Sequence, residues 1–250
     1  MSIISGFLLI NKPPHITSFA CITHIKKIIK EKIKIGHTGT LDPFATGLLI
    51  IAIGRQATRN IHCFSSLKKE YIAQAKLGEL RDTLDYTGTI LDTKQITGIT
   101  EKNLKQAIAA LGNSYQQIPP VYSALKYEGI PLYKLARHQQ CTEKQLRNIA
   151  SLKSKIIHLH SITLLNFSSP YFTIKAQVPS GTYIRSLMHT IANKIDNCAT
   201  TYELTRTRIG LFNLEQAIHI ENIKQLSDLQ QHVIQIEQCM QKIEESNSSC

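Results

Sequence analysis

Aspartate is scarce in this chain, occurring only at positions 42, 82, 85, 92, 196 and 228. Asp42 has the most unusual setting. It lies in Gly36-His37-Thr38-Gly39-Thr40-Leu41-Asp42-Pro43-Phe44-Ala45-Thr46-Gly47, immediately before an apolar run. The glycines permit close backbone approach, and Pro43 biases Asp42 toward an extended conformation. A carboxylate held rigidly beside a buried strand can act as a nucleophile or a base. The same residues also suit an Asx-type turn with no chemistry. Arg185 is the second candidate. Ser180-Gly181-Thr182 opens a helix and places Arg185 near its first turn, off the apolar face. Free amides with a guanidinium make an anion site, for a phosphate or a carboxylate; a surface arginine is the plain alternative. Tyr71, at a strand start after Lys68-Lys69-Glu70, has a ring that can stack on a base or pack half-buried in a sheet.

The elements that must position these groups follow from pattern. Gly6–Asn11 (GFLLIN) reads as a short buried strand stopped by Lys12-Pro13-Pro14. Thr17 or Ser18 caps a helix through Lys32, with Phe19, Ile22, Ile25, Ile28 and Ile29 at helical spacing. Its lysines at 26, 27, 30 and 32 form a solvated face or a phosphate contact. Leu48–Ile53, Tyr71–Leu77 and Gly88–Leu91 read as strands, and Thr100–Leu111 as an amphipathic helix ending at Gly112. Residues 116–147 interleave basic and aromatic side chains around a Pro-Pro pair, a mixture suited to RNA. Strand-like alternation returns over 155–178, Gly181 opens a helix, and 214–245 reads as helical with polar breaks. Strands and helices mix without strict βαβ alternation, so α+β is the expected class.

Composition sets the outer limits. With 250 residues, 42% hydrophobic and 19% charged, the chain can bury a full core, which excludes intrinsic disorder and collagen. The longest apolar run, Leu48–Ile53, is far short of a membrane span. Met1–Ile10 lacks a positive n-region, so no secretory leader is expected. The six cysteines form no CxxC pair, which argues against a zinc ribbon or dithiol redox site and for reduced thiols in a cytosol. The net charge of +11 suggests a polyanionic partner, or only a lysine-rich composition. The excess lies in the body: in 211–250, Lys224 and Lys242 face Glu215, Glu221, Asp228, Glu237, Glu244 and Glu245.

Seven blocks then occur in order: GFLLINKP (6–13), GHTGTLDPFATGLL (36–49), KKEYIAQAKLG (68–78), RDTLDYTG (81–88), IPPVYSALKYEGIPLYKLAR (118–137), SGTYIRSLMHTIA (180–192) and LTRTRIGLF (204–212). In these the chain resembles the TruB family of tRNA pseudouridine synthases over roughly residues 3–240. The resemblance implies a pseudouridine synthase fold: a central mixed or antiparallel sheet, flanking helices and a catalytic cleft. It implies that Asp42 is the nucleophile, that Tyr71 stacks on the uracil, and that Arg185 pairs with the nucleophile and the phosphate backbone. His37 is implied to pack near the flipped nucleotide, Lys12 and Pro13 to support the loop, Asp85 to assist the polar network, and Leu204 to wall the pocket. The implied reaction is uridine to pseudouridine at position 55, in the T-loop of tRNA. It needs no cofactor and no metal, because the N1–C1′ bond breaks and a C5–C1′ bond forms without redox change.

The resemblance divides the chain into a catalytic domain over 1–213 and a short helical tail over 214–250. The catalytic domain includes a thumb-like insertion, 118–147, that closes on the T-arm. Many relatives carry a further small RNA-binding PUA domain, expected here to be absent or vestigial. Leu-Thr-Arg also stands where many relatives have Leu-Arg-Arg, and Val178-Pro179-Ser180 replaces the usual lead-in to GTYIR. A cytoplasmic monomer acting on tRNA without an obligate protein partner or membrane is expected. The rivals are a guide-RNA-dependent synthase and a non-catalytic chaperone of the tRNA elbow.

Overall fold

The computed structural model describes residues 5–138 and 141–248. The fold is α+β, a mixed sheet with flanking helices, and the chain divides into two compact units. One unit is formed by residues 1–72 with 204–250, the other by 73–203. The strands Lys69–Leu77 and Ala199–Ile209 each pass along the chain from one unit into the other.

In the first unit, Gly6–Lys12 runs antiparallel to Thr46–Ile53, from Gly6↔Ile53 to Lys12↔Gly47. The end of Ala199–Ile209 pairs parallel to the start of Thr46–Ile53, with Thr205 opposite Thr46 and Arg206 opposite Gly47. Both central strands are covered on both faces, which explains their unbroken apolar runs. Phe7, Leu9, Leu48 and Ile50 pack with Phe64, Ile209 and Phe212, and burying each such side chain contributes about 1.5–3 kcal/mol.

The segment from residue 204 onward explains how this core closes. Cys239 and Ile243, on the helix Ile236–Ser248, are members of that same core. The segment expected to be helical with breaks is helical over Leu226–His232 and Ile236–Ser248, but Ile218–His219 and Val233–Ile234 add short strands to Gly6–Lys12. Those pairs satisfy the backbone groups of the first strand on its far edge.

The helix Ser18–Ile29 starts where expected, with the Thr17 hydroxyl accepting from the Ala20 N–H at 3.0 Å. It stops three residues before Lys32. Lys30 turns into the left-handed region (φ 59°) and donates its N–H to the Lys26 carbonyl.

In the second unit, Ser161–Ser168 and Tyr171–Val178 form an antiparallel hairpin, and Tyr171–Val178 also neighbours Lys69–Leu77. Ser114–Gln117 pairs with Lys155–His158, and Glu79–Arg81 with Ile90–Thr93, two residues later than the pattern suggested. The helices Glu101–Ala109 and Glu143–Leu152 each begin in a reciprocal cap, Thr100 with Asn103 and Thr142 with Gln145. The 118–147 segment contains the helix Leu132–Arg137, whose Leu132 and Leu135 pack on Leu146 and Ile149. Residues 139–140 of that segment, and 249–250 of the tail, lie outside the described residues.

Candidate active site

The Asp42 loop belongs to the first unit. Ile35–His37 pairs antiparallel with the far end of Thr46–Ile53, and the Thr38 N–H still reaches the Ile50 carbonyl at 3.0 Å. The chain then leaves the ladder and returns at Thr46. Within that excursion Leu41, Phe44 and Ala45 are buried while Asp42 is only half-buried. The Ala45 N–H closes a turn on the Asp42 carbonyl at 3.1 Å. The apolar neighbours anchor the backbone, and the Asp42 side chain stays partly exposed.

Three side chains fasten this loop. The Ser18 hydroxyl accepts from the Leu41 N–H at 2.9 Å and donates to the Leu41 carbonyl at 3.2 Å. Lys12, fully buried, donates its ammonium to the carbonyls of Pro13 (2.8 Å), Ile16 (2.9 Å) and Pro43 (3.2 Å). The Pro43 carbonyl also accepts the His15 N–H at 2.8 Å. Arg206, 1% exposed, donates to Leu48 at 2.8 Å and to Gly39 at 3.1 Å, where the loop leaves and rejoins the sheet. Gly47 lets Arg206 come this close: its φ is +103°, and a Cβ there would lie 2.4 Å from the Arg206 carbonyl oxygen.

The two buried cations shape the local electrostatics. Burial pushes Lys12 down to about 8, with Arg206 adding to the fall and Cys21 and Asp42 opposing it. Burial, then Arg206, also lowers His37. The His37 Nδ1 and the Thr38 hydroxyl are buried in this loop without a hydrogen-bond partner.

Tyr71 and Leu204 lie on the neighbouring strands of this unit. Tyr71 is half-buried and follows two buried, anchored residues. The Lys69 ammonium caps the carbonyls of Phe64 (2.8 Å) and Leu67 (2.9 Å), and the Glu70 carboxylate accepts the Thr207 hydroxyl at 2.8 Å. Leu204 is buried one residue before Thr205, whose hydroxyl bonds that of Thr46 at 2.8 Å. The first unit therefore gathers Lys12, Pro13, Asp42 and Leu204 about one loop, with His37 at its start and Tyr71 on the adjoining strand.

Arg185 and Asp85 belong to the second unit. Arg185 sits in the first turn of Ile184–Asn193 and is 3% exposed, so it is no surface arginine. Gln117 fixes the approach to that helix by bonding both the N–H (2.8 Å) and carbonyl (3.0 Å) of Tyr183. The Arg185 guanidinium donates to the carbonyls of Thr83 and Tyr122 and lies 3.5 Å from an Asp85 oxygen. The other Asp85 oxygen accepts the Thr83 hydroxyl at 2.9 Å and the Thr87 N–H at 3.0 Å. A buried charge pair with this many additional hydrogen bonds is held in one geometry.

Arg206 and Lys69 were not singled out from the sequence, and Ser18 only as a helix cap. Arg206 stands in the LTRTR block and Lys69 in the KKEY block, but neither spacing shows which carbonyls they cap. Among the described residues no group of His, Cys, Asp and Glu is arranged to hold a metal ion, and no helix is long and apolar enough to cross a membrane.

The sequence model described as "TruB family pseudouridylate synthase (N terminal domain)" matches residues 26–184, a span that includes Asp42, Tyr71 and Asp85 and stops one residue before Arg185. The tRNA pseudouridine synthase B of Clostridium acetobutylicum is 40% identical over 240 residues, covering 96% of this chain and 79% of that protein. The protein of the same name from Protochlamydia amoebophila is 38% identical over 231 residues, covering 92% and 84%. Among solved structures, a chain of a Cbf5-Nop10-Gar1 complex aligns with a TM-score of 0.65 at 27% identity, over 87% of this chain and 53% of that one. A chain of an H/ACA RNP bound to a substrate RNA containing 2′-deoxyuridine aligns with a TM-score of 0.65 at 24% identity, over 96% and 61%, and shows a shared fold. This chain thus spans a little over half the length of those solved chains.

Proposed function

The chain belongs to the TruB family of pseudouridylate synthases, and from that premise we propose that it isomerises uridine to pseudouridine in tRNA, at position 55 of the T-loop. The observation that carries the mechanism is the harness on Asp42: a half-buried carboxylate whose backbone is fixed through Leu41 on one side and Pro43 on the other. Such fixing holds a nucleophile near its attack geometry before substrate arrives.

The reaction breaks the N1–C1′ bond, turns the uracil and joins C5 to C1′. The C5 hydrogen leaves as a proton and N1 gains one, so atoms and electrons balance without a cofactor. On this reading Asp42 acts at C1′, by direct attack or by assisting a glycal intermediate. The uridine is flipped out of its loop to reach it. Tyr71 stacks on the base and Leu204 walls it. Arg185 supplies a fixed cation, held through Thr83, Tyr122 and Asp85. Lys12 and Pro13 support the loop, and His37 packs near the flipped nucleotide. Residues 1–213 form the catalytic part, and 118–147, with its own small core and its basic and aromatic side chains, contacts the T-arm. The enzyme works in the cytoplasm as a monomer without an obligate protein partner.

The test is tritium release from tRNA labelled at uridine C5, with wild type and Asp42→Asn. Wild type releases tritium, and the variant binds tRNA but releases none. Release by the variant at the wild-type rate removes Asp42 from the chemistry. Binding by both with release by neither makes this a tRNA-binding protein instead.

A further inference from the structure

In the second unit, the chain leaves a two-stranded sheet at Gln117 to form the 118–147 segment and returns to that sheet at Lys155. Gln117 and Lys155 face each other in the ladder, as the rung nearest the segment they enclose. Both also bond the stretch that leads into the helix Ile184–Asn193. The Lys155 ammonium donates to the Gly181 carbonyl at 2.8 Å. The Gln117 amide accepts the Tyr183 N–H at 2.8 Å and donates to the Tyr183 carbonyl at 3.0 Å. Gly181 lets the lysine approach: its φ is +75°, and a Cβ there would lie 3.1 Å from the Lys155 nitrogen. Two further bonds continue the seam. The Ser186 hydroxyl donates to the Ile118 carbonyl at 2.8 Å, and the Arg185 guanidinium to the Tyr122 carbonyl at 3.1 Å. Residues 181–186 are thus fastened to the root of the 118–147 segment.

The two side chains differ in firmness. Gln117 is 1% exposed, and its amide also donates to the Tyr115 hydroxyl, so the side chain is held in one orientation. A primary amide that pairs both polar groups of one backbone residue imitates a rung of a β-ladder. Lys155 is exposed and holds a single carbonyl, so it contributes less. Thr83, Tyr122 and Asp85 hold the Arg185 guanidinium itself, whereas Gln117 and Lys155 act on the backbone that carries it.

We propose that Gln117 and Lys155 are positioning residues for Arg185, and that the root of the 118–147 segment is thereby the part of the molecule that sets where this cation stands. The inference rests on the proposed activity for the role of Arg185, and adds to it the two side chains that aim it. A guanidinium on a displaced backbone keeps its charge but misses its target. The loss therefore falls on the chemical step rather than on RNA affinity.

The experiment compares wild type, Gln117→Met, Gln117→Glu, Lys155→Met, Lys155→Arg and a Phe172→Leu control, which loosens the core of the same unit at a residue outside the seam. Each protein is read for tRNA affinity by fluorescence anisotropy and for single-turnover tritium release at saturating tRNA, referred to the folded fraction from a urea melt. The NMR resonance of the Arg185 Nε–H, assigned by its loss in Arg185→Lys, is followed on the same samples. Gln117→Met loses both Tyr183 bonds, and its rate falls about 10- to 100-fold while tRNA affinity stays within about twofold. Gln117→Glu still accepts the Tyr183 N–H and loses less. Lys155→Met loses about two- to fivefold, the scale of an exposed charged contact, and Lys155→Arg regains it. The Arg185 resonance moves in Gln117→Met and stays in place in Phe172→Leu, whose rate remains within about twofold of wild type. If Gln117→Met does not fold, Gln117→Glu and the Lys155 pair carry the same test. Wild-type turnover in the Gln117 variants, an affinity that falls as far as the rate, or an equal slowing of the control overturns the proposal. So does an Arg185 resonance unmoved in a slowed Gln117 variant. Absence of tritium release from wild type refutes the proposed activity instead, and the Arg185 resonance still decides whether these side chains set its position.

Discussion

Ser18 and its neighbour Thr17 offer a direct test of whether the Asp42 loop is held for chemistry or only for stability. Both hydroxyls accept a backbone N–H, Thr17 from Ala20 at 3.0 Å and Ser18 from Leu41 at 2.9 Å. Ser18 also donates to the Leu41 carbonyl. Thr17→Ala removes a helix cap and costs about 1 kcal/mol. Ser18→Ala leaves two backbone groups of Leu41 unmet in a site where Ser18 is 2% and Leu41 3% exposed. One unmet buried group costs about 1–3 kcal/mol, so the two together cost about 2–6 kcal/mol. With a stability of about 5–15 kcal/mol, Thr17→Ala remains folded at 25 °C, and turnover of Ser18→Ala is referred to the folded fraction that its urea melt gives. Their turnover therefore reports geometry. A shift of about 1 Å at a reacting group costs about 100-fold. Ser18→Ala is expected to lose about 10- to 100-fold in single-turnover tritium release at saturating tRNA, whereas Thr17→Ala stays within about twofold. Urea melts on the same samples verify the two stabilities. If Ser18→Ala is destabilised yet turns over like Thr17→Ala, the harness does not position Asp42 and the reasoning fails.

Lys12 gives a pH signature. Its folded pKa of about 8 lies below the ordinary 10.5, so between those values the unfolded chain carries a proton that the folded chain lacks. This group's contribution to stability therefore rises with pH across that window, while activity falls, because a neutral amine grips three carbonyls less well. The rate profile should bend down near pH 8 without a fall in melting temperature from this group; a profile level to pH 9.5 would contradict it. Lys69, also lowered to about 8, serves as the control: Lys69→Met should leave the bend in place. Arg206→Met removes a cation near His37, so the His37 pKa should rise toward its ordinary value, as read by NMR titration. A His37 pKa unmoved in a folded variant would show that burial alone sets it.

Local pattern revealed the elements around the site better than the bonds that fix it. The apolar runs at Gly6 and Leu48, the Thr17 cap and the loop between them were readable, because each is encoded within about ten residues of itself. The helix end was misjudged because Lys32 continues a charge pattern, while the apolar stripe that holds the helix ends at Ile29. Short strands such as Ile218–His219 and Val233–Ile234 carry no local signature; they exist because the first strand offers them an edge. Arg185 was visible as a cation near a helix start, but its burial was not, since that depends on carbonyls from Thr83 and Tyr122. Ser18, Lys12 and Arg206 act on carbonyls or amides far along the chain, and separation in sequence hides such pairs.

The Arg206 clasp has a consequence for how the protein comes into being. It joins residues 167 and 158 positions apart, Gly39 and Leu48 to Arg206. At a synthesis rate of about 5–20 residues per second, Asp42 leaves the ribosome roughly ten to thirty seconds before the arginine that steadies its loop. Residues 73–203 can meanwhile gather their own core, since their unit is complete within that stretch. The first unit must wait for Ile209, Phe212, Cys239 and Ile243. A nascent chain thus carries the Asp42 carboxylate long before the Arg206 clasp can fix its loop, and on the proposed activity catalytic competence cannot precede the synthesis of Ile243.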